Sequence, residues 1–190
     1  SRAAYARALD YLGRRDEAMA FARSLVAARP SSAPAHVELA RCLAHAGDPE
    51  AARAELDRAL ELDPGDVLAL HLRFWPANRE DLIAVQASIP ALAAFAERHP
   101  TVAGARRSLA RAKLVAGAAD EAIGLLQEAV RLTPEDDDLR AELWTELTKL
   151  GRAAEVIADA ERIDGLARRS WVLRWGEAEA YAKIDRRTEA

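Results

Sequence analysis

Three arginines occupy one place in a recurring frame: Arg7, Arg41 and Arg111 each lie six residues before a glycine, at Gly13, Gly47 and Gly117. In a stack of equivalent units such positions line up in space, and guanidinium groups set in a row suit carboxylates. Arg107, one helical turn before Arg111, extends the row, and Trp75, 34 residues after Arg41, holds the same position in a less regular stretch. Guanidinium groups beside a large aromatic fit a ligand segment that carries acids and an apolar anchor. The plainer reading is that arginine is frequent in this chain and its long side chain solvates any exposed helix face.

Other groupings carry less. Trp171 and Trp175 are one turn apart with Arg174 beside them, in the run Arg168-Arg169-Ser170-Trp171-Val172-Leu173-Arg174-Trp175. Packing onto the preceding unit is the ordinary reading of such aromatics; a contact surface that includes Trp175 is the functional one. Cys42 and His45 share a helix face with His36 two turns back. Two residues three apart plus a distant third do not make a metal site, so they read as ordinary helix residues. The acids Glu135, Asp136, Asp137 and Asp138 follow Thr133-Pro134 at a helix start, where the helix dipole favours them.

No catalytic signature is present. The glycines are spaced at turns and never cluster into a phosphate loop, and neither G-x-S-x-G nor H-E-x-x-H occurs. The expectation is a non-enzyme with no cofactor and no metal. A net charge of −4 gives no general attraction to nucleic acid or to an anionic membrane, and base stacking on the tryptophans finds no support in that balance. One cysteine excludes an internal disulfide and fits a cytoplasmic location, and no apolar run reaches the length of a membrane span. The chain opens at Ser1 inside a helical pattern, so it reads as a piece of a longer protein. That leaves room for a second class of function, the substrate-recruiting accessory domain of a larger enzyme.

The elements that must position these residues are helices. Alanine occurs 45 times, and arginine outnumbers lysine 24 to 3, which is the bias of a GC-rich, bacterial type of genome rather than of a function. From Arg2 to Leu12 the set Tyr5, Ala8, Leu9, Leu12 forms one apolar face, and from Asp16 to Ala28 the set Ala18, Ala22, Leu25, Val26 forms another. The layout repeats after 34 residues: Gly47 answers Gly13, Ala52 answers Ala18, Pro64 answers Pro30. Asp48 before Pro49 is an N-cap with proline in the first helical position. A third unit is irregular, with a short helix over 66–75, a loop through Asn78 and a segment over 80–98 that Ser88-Ile89-Pro90 kinks or splits.

Small residues at Ala6, Ala40 and Ala110, turn glycines at Gly13, Gly47 and Gly117, then Ala18, Ala52 and Ala122, then Pro30, Pro64 and Pro134 resemble the tetratricopeptide repeat family. The resemblance implies an all-α, right-handed superhelix of antiparallel helix pairs, a single domain over 1–190. Its units are 1–32, 33–66, 67–100 (irregular), 101–134, 135–166 and a partial 167–190, about five and a half in all. In the fifth unit Trp144 replaces the small residue at the point of close helix approach and Val156 replaces alanine, so its helices must splay or repack. In the sixth Asp185 stands at the turn position, and a bare apolar half-unit would suit a homo-oligomer.

The family's fold makes the arginine row face a concave groove, and the implied function is a scaffold that holds a protein or peptide, of a kind that includes acidic ones, against Arg7, Arg41, Trp75, Arg107, Arg111 and Trp175. Reversing Arg41 and Arg111 to glutamate is then expected to weaken binding and leave melting nearly unchanged. Relatives that grip chaperone carboxylates use lysine and asparagine; here Asn78 is the one asparagine and lies in the irregular loop. Specificity is expected from the departures at Trp75, Trp144 and Trp175.

Overall fold

The computed structural model describes residues 2–74, 82–163 and 170–188, and among these there are eleven α-helices and no strand. Two compact units hold them, residues 1–99 and 100–190, with the division between the third and fourth expected repeats. The first unit contains α1 (Arg2–Tyr11), α2 (Arg15–Ala28), α3 (Ala33–His45), α4 (Pro49–Leu62), α5 (Val67–Phe74) and α6 (Leu82–Arg98). The second contains α7 (Ala103–Val115), α8 (Ala119–Leu132), α9 (Asp137–Lys149), α10 (Ala153–Ile163) and α11 (Trp171–Thr188).

Four of the pairs are joined by a turn whose glycine is in the left-handed region. Gly13, Gly47, Gly117 and Gly151 have φ between 73° and 82°, and no other described residue has positive φ. A Cβ there would meet no neighbour at Gly47 or Gly117, so the demand for glycine is conformational and not steric. Three helices start on aspartate caps that the local sequence supplies, one of them α5, where Asp66 accepts from the Ala69 amide at 2.9 Å. Asp48 accepts a hydrogen bond from the Ala51 amide at 3.0 Å with Pro49 next to it, and Asp136 accepts from the Leu139 amide at 2.9 Å at the head of α9.

Alanines let the helices of a pair approach: Ala6, Ala40 and Ala110 are buried at the position seven before each turn glycine, and Ala18, Ala52 and Ala122 are buried on the second helices. Around them Leu9, Val37, Leu56, Leu60, Leu70 and Phe95 fill the first unit, and Ile123, Leu126, Leu143, Trp144, Val156 and Leu173 the second.

Three sequence expectations change here. Of the kink or split expected at Ser88-Ile89-Pro90, the split does not occur, since α6 runs unbroken from Leu82 to Arg98 with Pro90 inside it. Pro90 removes the amide that would bond the Gln86 carbonyl, and both residues are exposed, where solvent can reach that carbonyl. No turn forms at Asp185, because α11 continues to Thr188 and Asp185 lacks the positive φ that the turn glycines adopt. Trp171 and Trp175 do not pack onto the preceding unit either: they are 74% and 70% exposed, while Leu173 and Ala180 of α11 are buried where that helix packs on α9 and α10. Trp75 and Asn78 lie outside the described residues, as do Arg168 and Arg169 of the arginine-tryptophan run.

Candidate functional site

The predicted arginines lie on the first helices of their pairs, and each is held by a carboxylate from the neighbouring first helix. In the first unit Arg7 Nε on α1 lies 3.2 Å from Glu38 Oε1 on α3, and Arg41 Nη2 on α3 reaches back to Asp10 Oδ2 on α1 at 3.3 Å. Arg41 also donates to Glu38 at 3.3 Å, and His45 Nδ1 lies 2.6 Å from the same Asp10 oxygen. The result is a cross-braced cluster between α1 and α3. In the second unit Arg107 and Arg111 of α7 both grip Glu142 of α9; Arg111 does so through two bonds of 2.5 and 2.7 Å and Arg107 through one of 2.6 Å.

Accessibility separates the row. Side chains of Arg7 and Arg111 are 49% and 45% exposed and stay reachable by a partner, whereas Arg41 and Arg107 are 19% and 22% exposed and act mainly as braces. Charge reversal at Arg41 therefore cannot leave melting unchanged as the sequence suggested, because it would set a third carboxylate beside Asp10 and Glu38.

The carboxylates respond to these surroundings in opposite senses. Burial pushes the Glu38 carboxyl up, since the charges of Arg41 and Arg7 only partly offset desolvation and Asp10 adds to it. Burial also raises Glu142, but the hydrogen bond from Arg111 and the charges of Arg107 and Arg111 outweigh it and hold the carboxyl below its ordinary value. Asp159 on α10 behaves likewise: desolvation is outweighed by hydrogen bonds from Trp144, Arg162 and Arg140. A carboxyl lowered on folding contributes stability that is present above its unfolded pKa and lost as pH falls through the folded one; a raised carboxyl does the reverse. As pH falls, protonation of Glu38 should thus relieve the first unit already above the ordinary 4.5 of Glu, and acidification below 4.5 for Glu142 and 3.8 for Asp159 should then weaken the second. Hydrogen exchange followed from neutral pH downward should show amides of α8 and α9 losing protection before those of α3 and α4. Glu142→Gln should shrink that gap, and equal loss in both units would refute the assignment.

A second repeated device is absent from the sequence reading. A basic residue six positions after a repeat-closing proline takes that proline's carbonyl on one side and a carboxylate of the following second helix on the other. His36 Nε2 lies 2.9 Å from the Pro30 carbonyl and Nδ1 2.6 Å from Glu55. Arg106 donates to the Pro100 carbonyl at 2.5 Å and to Glu128 at 2.9 Å, and Arg140 to the Pro134 carbonyl at 3.1 Å and to Asp159 at 2.8 Å. These three residues fasten the entry of one pair to its own second helix. They explain why His36 and Arg140 are buried polar groups, and they occupy His36 with structural work. Cys42 is buried with its thiol pushed up by desolvation, and His45 is engaged with Asp10.

Trp144 also changes role. It is fully buried, with Nε1 donating to Asp159 at 2.9 Å, so it cannot touch a partner and is not a source of specificity. Its ring is accommodated by Gly176 of α11, where a Cβ would come within 3.2 Å of Trp144 Cε3.

Beside Arg41 and His45 the first unit opens into a cavity of about 520 Å³ between α3, α4, α5 and α6. Its lining includes Ala40, Ala44, Ala52 and Leu56, with Phe74 of α5 and Ala87 of α6. The second unit has a hollow of about 730 Å³ along α8, α9 and α10, where Asp159 is already taken by three donors.

Antiparallel helix pairs with left-handed glycines between them and alanine contacts at a fixed offset define an all-α helical-repeat solenoid, a class of protein-interaction scaffold. Models of the tetratricopeptide repeat match residues 2–73 and 85–137, together about two thirds of the chain, and the chain belongs to the tetratricopeptide repeat family. A comparison with curated proteins returned no match. Among solved structures, a thermophilic tetratricopeptide repeat protein of Thermus thermophilus is similar at 19% identity and a TM-score of 0.58, over 95% of this chain and 97% of that one. MamA from Desulfovibrio magneticus RS-1, from residue 41 onward, is similar at 20% identity and 0.51, over 89% and 98%. At such identities the likeness is one of fold. No helix among the described residues is long and apolar enough to cross a membrane.

Proposed function

We propose that this chain is a non-catalytic, cytoplasmic scaffold that binds protein along the first helices of its pairs, with Arg7 as the charged contact in the first unit and Arg111 as the charged contact in the second. The observation that carries the reading is the half-exposure of those two guanidinium groups, each oriented by a carboxylate from the neighbouring first helix. An arginine already fixed in place loses less side-chain freedom when it meets a ligand carboxylate, which favours an acidic segment. Trp175 supports the same reading on α11, where it faces solvent. An exposed tryptophan is the side chain most suited to anchor a bound segment.

The test is site-specific photo-crosslinking in cells with p-benzoylphenylalanine at positions 7, 111 and 175, against control positions Arg53 and Arg58 on α4. Discrete adducts should form from the first three positions. Arg111→Gln should cut the yield at position 175, in the same unit, at least tenfold while circular dichroism stays unchanged. Adducts of equal intensity from the α4 positions would count against this face.

A further inference from the structure

We infer that Glu38 is a proton-operated switch on the charged contact of the first unit: ionised, it neutralises Arg7, and protonated, it leaves the full charge of Arg7 to an acidic group of the bound protein. This rests on the protein-binding reading above and adds to it a regulation that the two units do not share.

The two arginine clusters differ in their balance. Around Glu142 the guanidinium groups of Arg107 and Arg111 share one carboxylate at 2.5 to 2.7 Å, so one positive charge is left over for a ligand. Between α1 and α3, Arg7 and Arg41 face two carboxylates, Asp10 and Glu38, and none is left over while both acids are ionised. Glu38 spends one oxygen on each arginine, at 3.2 Å from Arg7 and 3.3 Å from Arg41, both longer than the roughly 2.7–2.9 Å of a well-formed charge-assisted bond. Its side chain is 3% exposed, so water does little for its charge. Asp10 is better served, with His45 at 2.6 Å as well as its share of Arg41. An acid buried that deeply and bonded that loosely takes the next proton, in keeping with the upward push that burial gives its carboxyl.

The groups that face Glu38 are Arg7 and Asp10 from α1 and Arg41 from α3 itself, with the neighbouring Cys42 thiol kept neutral by the same burial. The helices α2 and α4 also pack on α3, and neither sets a described charge against Glu38. Protonation changes the charge without undoing the geometry, because a neutral carboxyl still accepts a hydrogen bond through its carbonyl oxygen and Arg7 keeps its direction. Arg7 is half exposed and then carries a charge that its own cluster no longer cancels. An anion bound there disfavours ionised Glu38, so binding and proton uptake favour each other. Affinity therefore rises as pH falls through the range where Glu38 titrates, above the ordinary 4.5 of Glu. Glu142, held below its ordinary value, stays ionised over that range and gives Arg111 no such dependence.

The experiment uses the full 190-residue chain and sodium sulfate, whose charge is constant over this range, at fixed ionic strength and at pH 7.0 and 4.5. Binding is read from the ¹³Cζ shifts of Arg7 and Arg111. More than half of Glu38 is protonated at the lower pH, so sulfate should bind at Arg7 at least fivefold tighter there, while its affinity at Arg111 changes less than twofold. Sulfate should in turn raise the titration midpoint of the Glu38 carboxyl, a readout that needs no variant. Glu38→Gln, which keeps the acceptor and removes the charge, should bind at pH 7.0 as the parent binds at pH 4.5 and lose the pH dependence. His45→Gln removes the other group beside Asp10 that can take a proton, and should leave the fivefold change intact. The switch is overturned by an affinity at Arg7 that does not vary with pH, by an equal change at Arg111, or by the absence of a saturable shift at Arg7. A pH dependence that survives Glu38→Gln or vanishes with His45→Gln overturns it equally. A failed switch with intact crosslinks at positions 7 and 111 rejects this inference alone, and lost crosslinks with pH-dependent sulfate binding intact reject the protein-binding reading alone.

Discussion

Arg41→Glu is expected to destabilise the first unit by about 3 kcal/mol, within the range measured when a buried ion pair loses one partner. Glu38 has a side chain only 3% exposed and Asp10 one of 10%, so both carboxylates depend on Arg41 for compensation. The substitution removes two donors and adds a third negative group to the cluster. Arg7 still reaches Glu38, which keeps the loss below that of a wholly unpaired buried charge. Urea denaturation of the 190-residue chain gives the free energy, and hydrogen exchange in α1 and α3 locates it. Replacing Arg41 and Glu38 together by methionine should restore most of the stability, since an apolar pair needs no compensation. Arg53→Glu on the exposed face of α4 should change stability by less than about 0.5 kcal/mol. If Arg41→Glu melts like the parent, the braces between first helices contribute nothing.

The same cluster shows how far the sequence could be followed. The turn glycines, the alanine contacts and the Asp48-Pro49 cap were legible, because each is a local demand of backbone geometry met by one residue type at a fixed offset. The places of Arg7, Arg41, Arg107 and Arg111 on first helices were legible for the same reason. Its partners were not, although their spacing was available. Arg7 and Glu38, Asp10 and Arg41, and Arg111 and Glu142 are each 31 residues apart, one repeat less one turn, which sets the two side chains level on successive first helices. A search for opposite charges at that separation would have found the braces. The proline-carbonyl clamps carry a similar trace, since His36 and Glu55, and Arg140 and Asp159, are both 19 apart. Exposure was harder to read. Tryptophan at 144 and at 175 looks alike in sequence, and only the packing of α9 against α11 makes one a core residue and the other a surface one.

Trp144→Ala should cost about 3–5 kcal/mol, the range for deleting a large buried aromatic, and should act on the second unit. Trp144 is 0% exposed and bridges α9 to α10 through Asp159 and α9 to α11 through Gly176, so its loss opens a void at the meeting point of three helices. Asp159 keeps Arg140 and Arg162 and stays compensated, so most of the cost is packing. Trp144→Phe separates the two contributions: it retains much of the ring and removes only the indole donor, for an expected loss of about 1–2 kcal/mol beyond the smaller volume. Gly176 is the other half of the fit. The regular repeats place alanine where Trp144 stands and need no glycine opposite, whereas here a Cβ at 176 would already sit 3.2 Å from the indole. Gly176→Leu alone should therefore overpack and loosen α11, by roughly 1–3 kcal/mol. Combined with Trp144→Ala it should fill part of the void it otherwise collides with. The double variant should then be more stable than the sum of the single changes requires, a coupling that a double-mutant cycle in urea measures directly. Strict additivity would mean that Trp144 and Gly176 do not meet, and that the large-for-small exchange in the fifth repeat is accommodated elsewhere.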